Sequence, residues 1–87
     1  MTTETRFPKV TIYSTTWCGD CRRSKRLLDA HGVPYEEINI EDSPDAAREV
    51  MRLNNGRRSV PTILIENGQV LTEPSDRELA AALGLNH

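Results

Sequence analysis

Apolar and polar residues alternate near the start of the chain and then recur at helical spacing. Lys9 to Ser14 sets Val10 and Ile12 against Thr11 and Tyr13, the period-two signature of a strand. Arg22 to His31 contains no Pro or Gly and brings Cys21, Leu27 and Leu28 near one stripe. This predicts a helix from about Cys18 to Ala30, with Gly32 as its stop and Pro34 beyond. Tyr35 to Ile40 reads as a second strand. Ser43-Pro44 opens the next helix, because serine caps and proline fits the first turn. Ala47, Val50 and Met51 follow at helical spacing, and Asn54-Asn55-Gly56 ends the run. Val60 to Ile65 is a third strand, opened by Pro61. Asn67-Gly68 signals a hairpin from which Val70-Leu71-Thr72 returns. Ser75-Asp76-Arg77-Glu78 fits a capping box, and Leu79, Ala82 and Leu83 continue as a short helix stopped by Gly84.

The predicted order is therefore β-α-β-α-β-β-α. A βαβ unit makes a parallel pair and a tight hairpin an antiparallel one, so the sheet is mixed, with four strands and helices to cover it. At 87 residues the chain holds one domain, read as residues 9–87 behind a flexible polar leader, residues 1–8. A hydrophobic share of 37% and a charged share of 28% suit a globular fold and exclude collagen-like or largely disordered chains. The net charge of −2 argues against a nucleic-acid binder. No apolar run approaches the ~18 residues of a membrane helix, and the N-terminus lacks a signal peptide's apolar stretch. The expected compartment is the cytoplasm. Two cysteines, Cys18 and Cys21, do not make a disulfide scaffold.

Those two cysteines carry the chemistry. Cys-X-X-Cys lies between a strand and a helix, where unsatisfied backbone N–H groups concentrate positive partial charge. A thiolate there is stabilised and its pKa falls. Cys18 is read at the exposed end as the nucleophile; Cys21, one turn inside, resolves the mixed disulfide that Cys18 forms. A free thiol of pKa ~8.5 is only ~3% ionised at pH 7. Lowering the pKa to about 5 gains roughly 30-fold in thiolate, but nucleophilicity falls by a similar factor with a Brønsted slope of ~0.4–0.5. The net benefit is a better leaving group in the second step. Asp20 opposes the thiolate and Arg22 and Arg23 offset it, with the net sign open at this level. A structural zinc site wants four ligands, and His31 and His87 lack convincing spacing to supply the other two; no metal is expected. An iron–sulfur cluster bridging two subunits stays as an alternative.

Ser59-Val60-Pro61-Thr62 strengthens the redox reading. A proline at a strand start removes one donor and leaves the N–H and C=O of Val60 free for an extended substrate. A cis Val60–Pro61 bond would present that edge beside the cysteines.

Trp17-Cys18-Gly19-Asp20-Cys21 after one strand and Ser59-Val60-Pro61-Thr62 before another resemble the thioredoxin superfamily, over about residues 9–84. The length resembles that of a glutaredoxin. Tyr13 to Cys21 and Leu71-Thr72-Glu73-Pro74-Ser75 resemble the mycoredoxins of actinobacteria. The resemblance implies a thioredoxin-like α/β fold with helices on both faces of the sheet. It implies that Cys18 attacks and Cys21 resolves, that Val60 offers its backbone to a bound thiol beside a cis Pro61, and that Ser75 and Asp76 hold a polar end of the cofactor. Trp17 either packs beside the thiols or forms a docking surface. Glutathione-using glutaredoxins commonly carry lysine where this chain has Thr15, Pro-Tyr where it has Gly19-Asp20, and Gly-Gly where it has Glu73-Pro74. Glutathione, mycothiol and bacillithiol are thus all candidate co-substrates.

Arg57 and Arg58 are either a solvated basic turn or the holders of a cofactor carboxylate or phosphate. Arg22, Arg23, Lys25 and Arg26 form a basic helix face, read as solvated. The expected function is reduction of mixed disulfides between proteins and a small thiol by a monomer, with electrons from an NADPH-linked reductase system. One alternative is a thioredoxin-like dithiol donor serving clients such as ribonucleotide reductase. The other is an iron–sulfur or partner-binding module.

Overall fold

Four strands form one mixed sheet in the order β2-β1-β3-β4, in a computed structural model that describes residues 7–85. The elements are β1 (Val10–Ser14), α1 (Gly19–Ala30), β2 (Glu36–Asn39), α2 (Pro44–Leu53), β3 (Thr62–Ile65), β4 (Val70–Thr72) and α3 (Asp76–Leu83). β1 runs parallel to β2 and antiparallel to β3, and β3 runs antiparallel to β4. This is the thioredoxin-like arrangement the sequence implied. Pairing in β3 begins at Thr62, opposite Tyr13, because Pro61 has no N–H to give. Most of the flexible leader expected over residues 1–8, and His87, lie outside the described residues. Phe7, however, packs against the core, and the Lys9 N–H donates to Glu66 Oε1 at 3.0 Å.

The period-two pattern sorts the strands' side chains onto two faces. Val10, Ile12, Ile63 and Ile65 meet Leu27 and Leu28 of α1 and Leu79 and Ala80 of α3. Tyr13, Ile38 and Leu64 face the other way, onto Ala46 and Val50 of α2. Tyr13 is therefore as much a core residue as its apolar neighbours, and burial raises its phenol pKa above 10.0.

Local signals set the helix ends. Gly32 adopts φ +66° after α1; its N–H bonds Asp29 C=O and that of Val33 bonds Leu28 C=O, closing a Schellman motif. Ser43 caps α2 through Ala46 N–H at 3.1 Å, with Pro44 first in the helix. Among the described residues no helix is long and apolar enough to cross a membrane.

Candidate redox site

The strand directions bring four connections to one end of the sheet. The C-terminal ends of β1, β2 and β4 and the start of β3 share that end. The loop with Trp17 and Cys18, the loop after Asn39, the Val60–Pro61 segment and the approach to α3 all leave from it.

Cys18 is the N-cap of α1, with extended backbone (φ −85°, ψ 109°), so the helix starts one residue later than the pattern suggested. Its Sγ accepts the backbone N–H of Cys21 at 3.0 Å. Cys18 and Cys21 are joined in a disulfide with Cα atoms 5.2 Å apart. When the bond is reduced, the same N–H and the helix N-terminus favour a thiolate at Cys18 over a thiol. Cys18 was expected at an exposed end, but it is only 6% exposed and Cys21 1%. The capping bond and the disulfide fold both sulfurs onto the first turn of the helix. The exposed members of the motif are Gly19, Asp20 and, at 69%, Trp17.

Arg23 addresses the charge of Asp20. Its Nη1 lies 3.3 Å from Asp20 Oδ1, its Nη2 donates to Pro74 C=O at 3.3 Å, and its Nε stands 3.4 Å from Asp76 Oδ1. The last contact is an ion pair without a hydrogen bond's alignment. One guanidinium thus faces the carboxylate next to the cysteines and the one that opens α3. Ser75 is engaged as well. Its Oγ accepts Glu78 N–H at 3.1 Å and its N–H donates to Glu78 Oε1 at 2.8 Å, the capping box read from the sequence. Hydrogen bonding to Ser75 holds the Glu78 carboxyl below its usual 4.5.

The Val60–Pro61 peptide is cis. Pro61 is buried and its carbonyl accepts Glu73 N–H at 2.8 Å. Among the described residues no backbone partner engages the N–H or C=O of Val60. Asn54 braces this segment. Its Nδ2 donates to Val50 C=O and to Thr62 Oγ1, both at 2.9 Å, and its Oδ1 accepts Thr72 Oγ1 at 2.5 Å. Thr62 Oγ1 in turn donates to Ser59 C=O at 2.7 Å. Arg57 lines a polar cavity of about 570 Å³ with Asn54, Ser59, Thr72 and Glu73. Arg58 is exposed.

Trp17 is exposed but held at its polar edge. Its Nε1–H donates to Glu41 Oε2 at 3.0 Å, and Thr16 N–H reaches Glu41 Oε1 at 3.4 Å. His31 caps the far end of α1, a helix of 12 residues and so about 18 Å long. Among the described residues no three His, Cys, Asp or Glu side chains converge as metal ligands. Sequence reasoning missed Glu41, gave Asn54 only a helix-stop role and, beyond setting Arg23 against Asp20, placed it on a solvated face without its contacts to Pro74 and Asp76. Each acts through a contact distant in the chain, for which no local pattern exists.

A thioredoxin-like fold that holds a Cys-X-X-Cys disulfide at a helix N-terminus defines a thiol–disulfide redox protein. The family model for glutaredoxin matches residues 10–71. A Mycobacterium tuberculosis protein carrying the glutaredoxin name is 45% identical over 74 residues, 85% of this chain and 88% of that protein. Mycoredoxin 1 of Corynebacterium glutamicum is 36% identical over 74 residues, covering 85% of this chain and 91% of the relative. The crystal structure of the glutaredoxin from Methanosarcina mazei superposes with a TM-score of 0.77 at 26% identity, over 90% of this chain and 80% of that one. The chain belongs to the glutaredoxin family.

Proposed function

We propose that this protein reduces mixed disulfides between proteins and a low-molecular-weight thiol, as a glutaredoxin of the mycoredoxin kind. The observation that carries the reading is Cys18 at the N-cap of α1, its sulfur on the Cys21 N–H at 3.0 Å and within bonding reach of Cys21. In the first step the Cys18 thiolate attacks the small-thiol sulfur of the mixed disulfide. The S–S bond to the client breaks, a new one forms to Cys18, and the client leaves as a thiolate that takes up a proton. A second small thiol then attacks as its thiolate and leaves with the first as their disulfide, which an NADPH-linked reductase returns to thiol. Alternatively Cys21 displaces the small thiol and closes the Cys18–Cys21 bond.

In this reading Trp17, the backbone of Val60 beside Pro61, and the α3 start at Ser75 and Asp76 form the binding surface. The small thiol is glutathione, mycothiol or bacillithiol, the protein works as a monomer in the cytoplasm, and neither nucleic acid nor membrane takes part. A second reading, a thioredoxin-like dithiol donor, draws on one observation. Ser75 is engaged by Glu78 and Asp76 by Arg23, which leaves fewer free groups for a small thiol.

The test is turnover of a defined mixed disulfide by wild type and Cys21→Ser, with each small thiol and its reductase system, and with thioredoxin reductase, in parallel. The proposal expects Cys21→Ser to keep most activity with one small thiol, which then names the co-substrate. Activity supported only by thioredoxin reductase, and lost in Cys21→Ser, replaces it with the dithiol reading.

A further inference from the structure

We propose that Glu41 is a positioning residue that fixes the Trp17 indole beside Cys18 as the docking face for the polypeptide half of a mixed disulfide. The inference rests on the reading above and concerns which side of Cys18 each half of the substrate occupies.

Trp17 leaves 69% of its surface in water next to a cysteine that is 6% exposed. Yet it is not loose. The Glu41 carboxylate takes the indole N–H with one oxygen and Thr16 N–H with the other. Glu41 N–H donates to Asn39 Oδ1 at 2.8 Å, and Asn39 Nδ2 donates to Thr16 Oγ1 at 3.0 Å. These four bonds tie the loop after β1 to Asn39 at the end of β2 and to the loop that follows it, next to the last register pair, Ser14 and Asn39. Among the described residues neither Glu41 oxygen meets a Lys or Arg within ion-pair distance, so the carboxylate is spent on these two N–H groups. The polar edge of the indole is satisfied and its apolar face stays open. A large amphipathic ring held this way offers contact area at low ordering cost.

The sheet order separates the two halves of the substrate. Glu41 follows β2 and Val60 precedes β3, and these strands flank β1 on opposite sides. The open Val60 backbone therefore approaches the Cys18 loop from one side, and the Trp17–Glu41 pair from the other. With the small thiol along Val60, the protein leaving group lies over Trp17.

The experiment compares KM and kcat for two substrates: a single-cysteine protein blocked with the small thiol, and hydroxyethyl disulfide, which has no polypeptide. Glu41→Ala is expected to raise KM for the protein about fivefold more than for the small disulfide, with kcat for the protein changed less than twofold. Trp17 is the only tryptophan, and its fluorescence anisotropy is expected to fall in the same variant. Glu41→Gln keeps an acceptor oxygen and is expected to recover part of the protein KM. In a Trp17→Phe background, which lacks the indole N–H, Glu41→Ala is expected to add no further KM change. Equal KM changes for both substrates, or an undiminished effect in the Trp17→Phe background, would overturn the proposal. A wild type that turns over neither substrate sinks the mixed-disulfide reading, and the docking proposal with it.

Discussion

Nε of Arg23 lies 3.4 Å from Oδ1 of Asp76, tying the helix that carries the cysteines to the start of α3. The same guanidinium stands 3.3 Å from Asp20. Both acids therefore reach the site already countered by one cation, and Arg23 is the arginine that offsets the Asp20 charge, whose net effect on Cys18 the sequence left open.

Arg23→Ala removes that counter-charge. With Asp20 bare in the first turn, the Cys18 thiolate is disfavoured, and alkylation of the reduced protein by iodoacetamide near pH 6 is expected to slow about two- to threefold. Asp20→Asn in the same background is expected to restore the rate. An unchanged alkylation rate in Arg23→Ala would show that solvent already screens the Asp20 charge.

Asn54→Ala tests the brace behind the Val60–Pro61 segment. The substitution strips partners from Val50 C=O, from the buried Thr62 hydroxyl and from Thr72. Loss of hydrogen bonds to partly buried groups is expected to cost about 2 kcal/mol. In a domain this small that lowers Tm by roughly 8–16 °C. Urea melts give the free energy; a loss below about 0.5 kcal/mol would mean that water replaces the amide without penalty.

Much of this fold was legible because its signals are local. Ser43-Pro44, the Ser75–Glu78 box and Gly32 each act within one helical turn, and the period-two pattern of β1 set Val10 and Ile12 on the face opposite Tyr13. The polar contacts that shape the site are not local. Trp17 to Glu41 spans 24 positions, Asn54 to Thr72 spans 18 and Arg23 to Pro74 spans 51. Periodicity reports which face a residue occupies and says nothing about its partner on another element. The same blindness hid the burial of Cys18, which depends on the way the capping bond and the disulfide turn its side chain.

Glu37 gives the fold a pH dependence of definite sign. Its Oε2 accepts Lys25 Nζ and Ser14 Oγ, both at 2.7 Å, and these bonds, led by Lys25, hold its carboxyl below 4.5 against the opposing effect of burial. The unfolded chain then binds the proton more readily than the folded one. Glu37 therefore stabilises the fold fully above about pH 4.5, and the contribution is lost as pH falls through the lower, folded value. Glu37→Gln is expected to be less stable than wild type at neutral pH and to show a flatter decline between about pH 5 and pH 3. Parallel slopes in urea melts across that range would assign the acid sensitivity to other carboxylates.

Gly19 separates what the helix wants from what the site wants. It is the first residue of α1, its φ is not positive, and a Cβ built on it meets nothing within 4 Å. Alanine there fits without strain and restricts the unfolded chain, so Gly19→Ala is expected to stabilise the protein by about 0.4–1 kcal/mol. The open space at Gly19 lies next to Cys18 in the chain, and a glycine is one way to let another backbone approach closely. Turnover of hydroxyethyl disulfide by Gly19→Ala is expected to stay within about twofold of wild type, because a small disulfide does not press a chain against the helix start. A stabilised variant with a strongly reduced rate on that substrate would show instead that even the smallest substrate uses the space the glycine leaves.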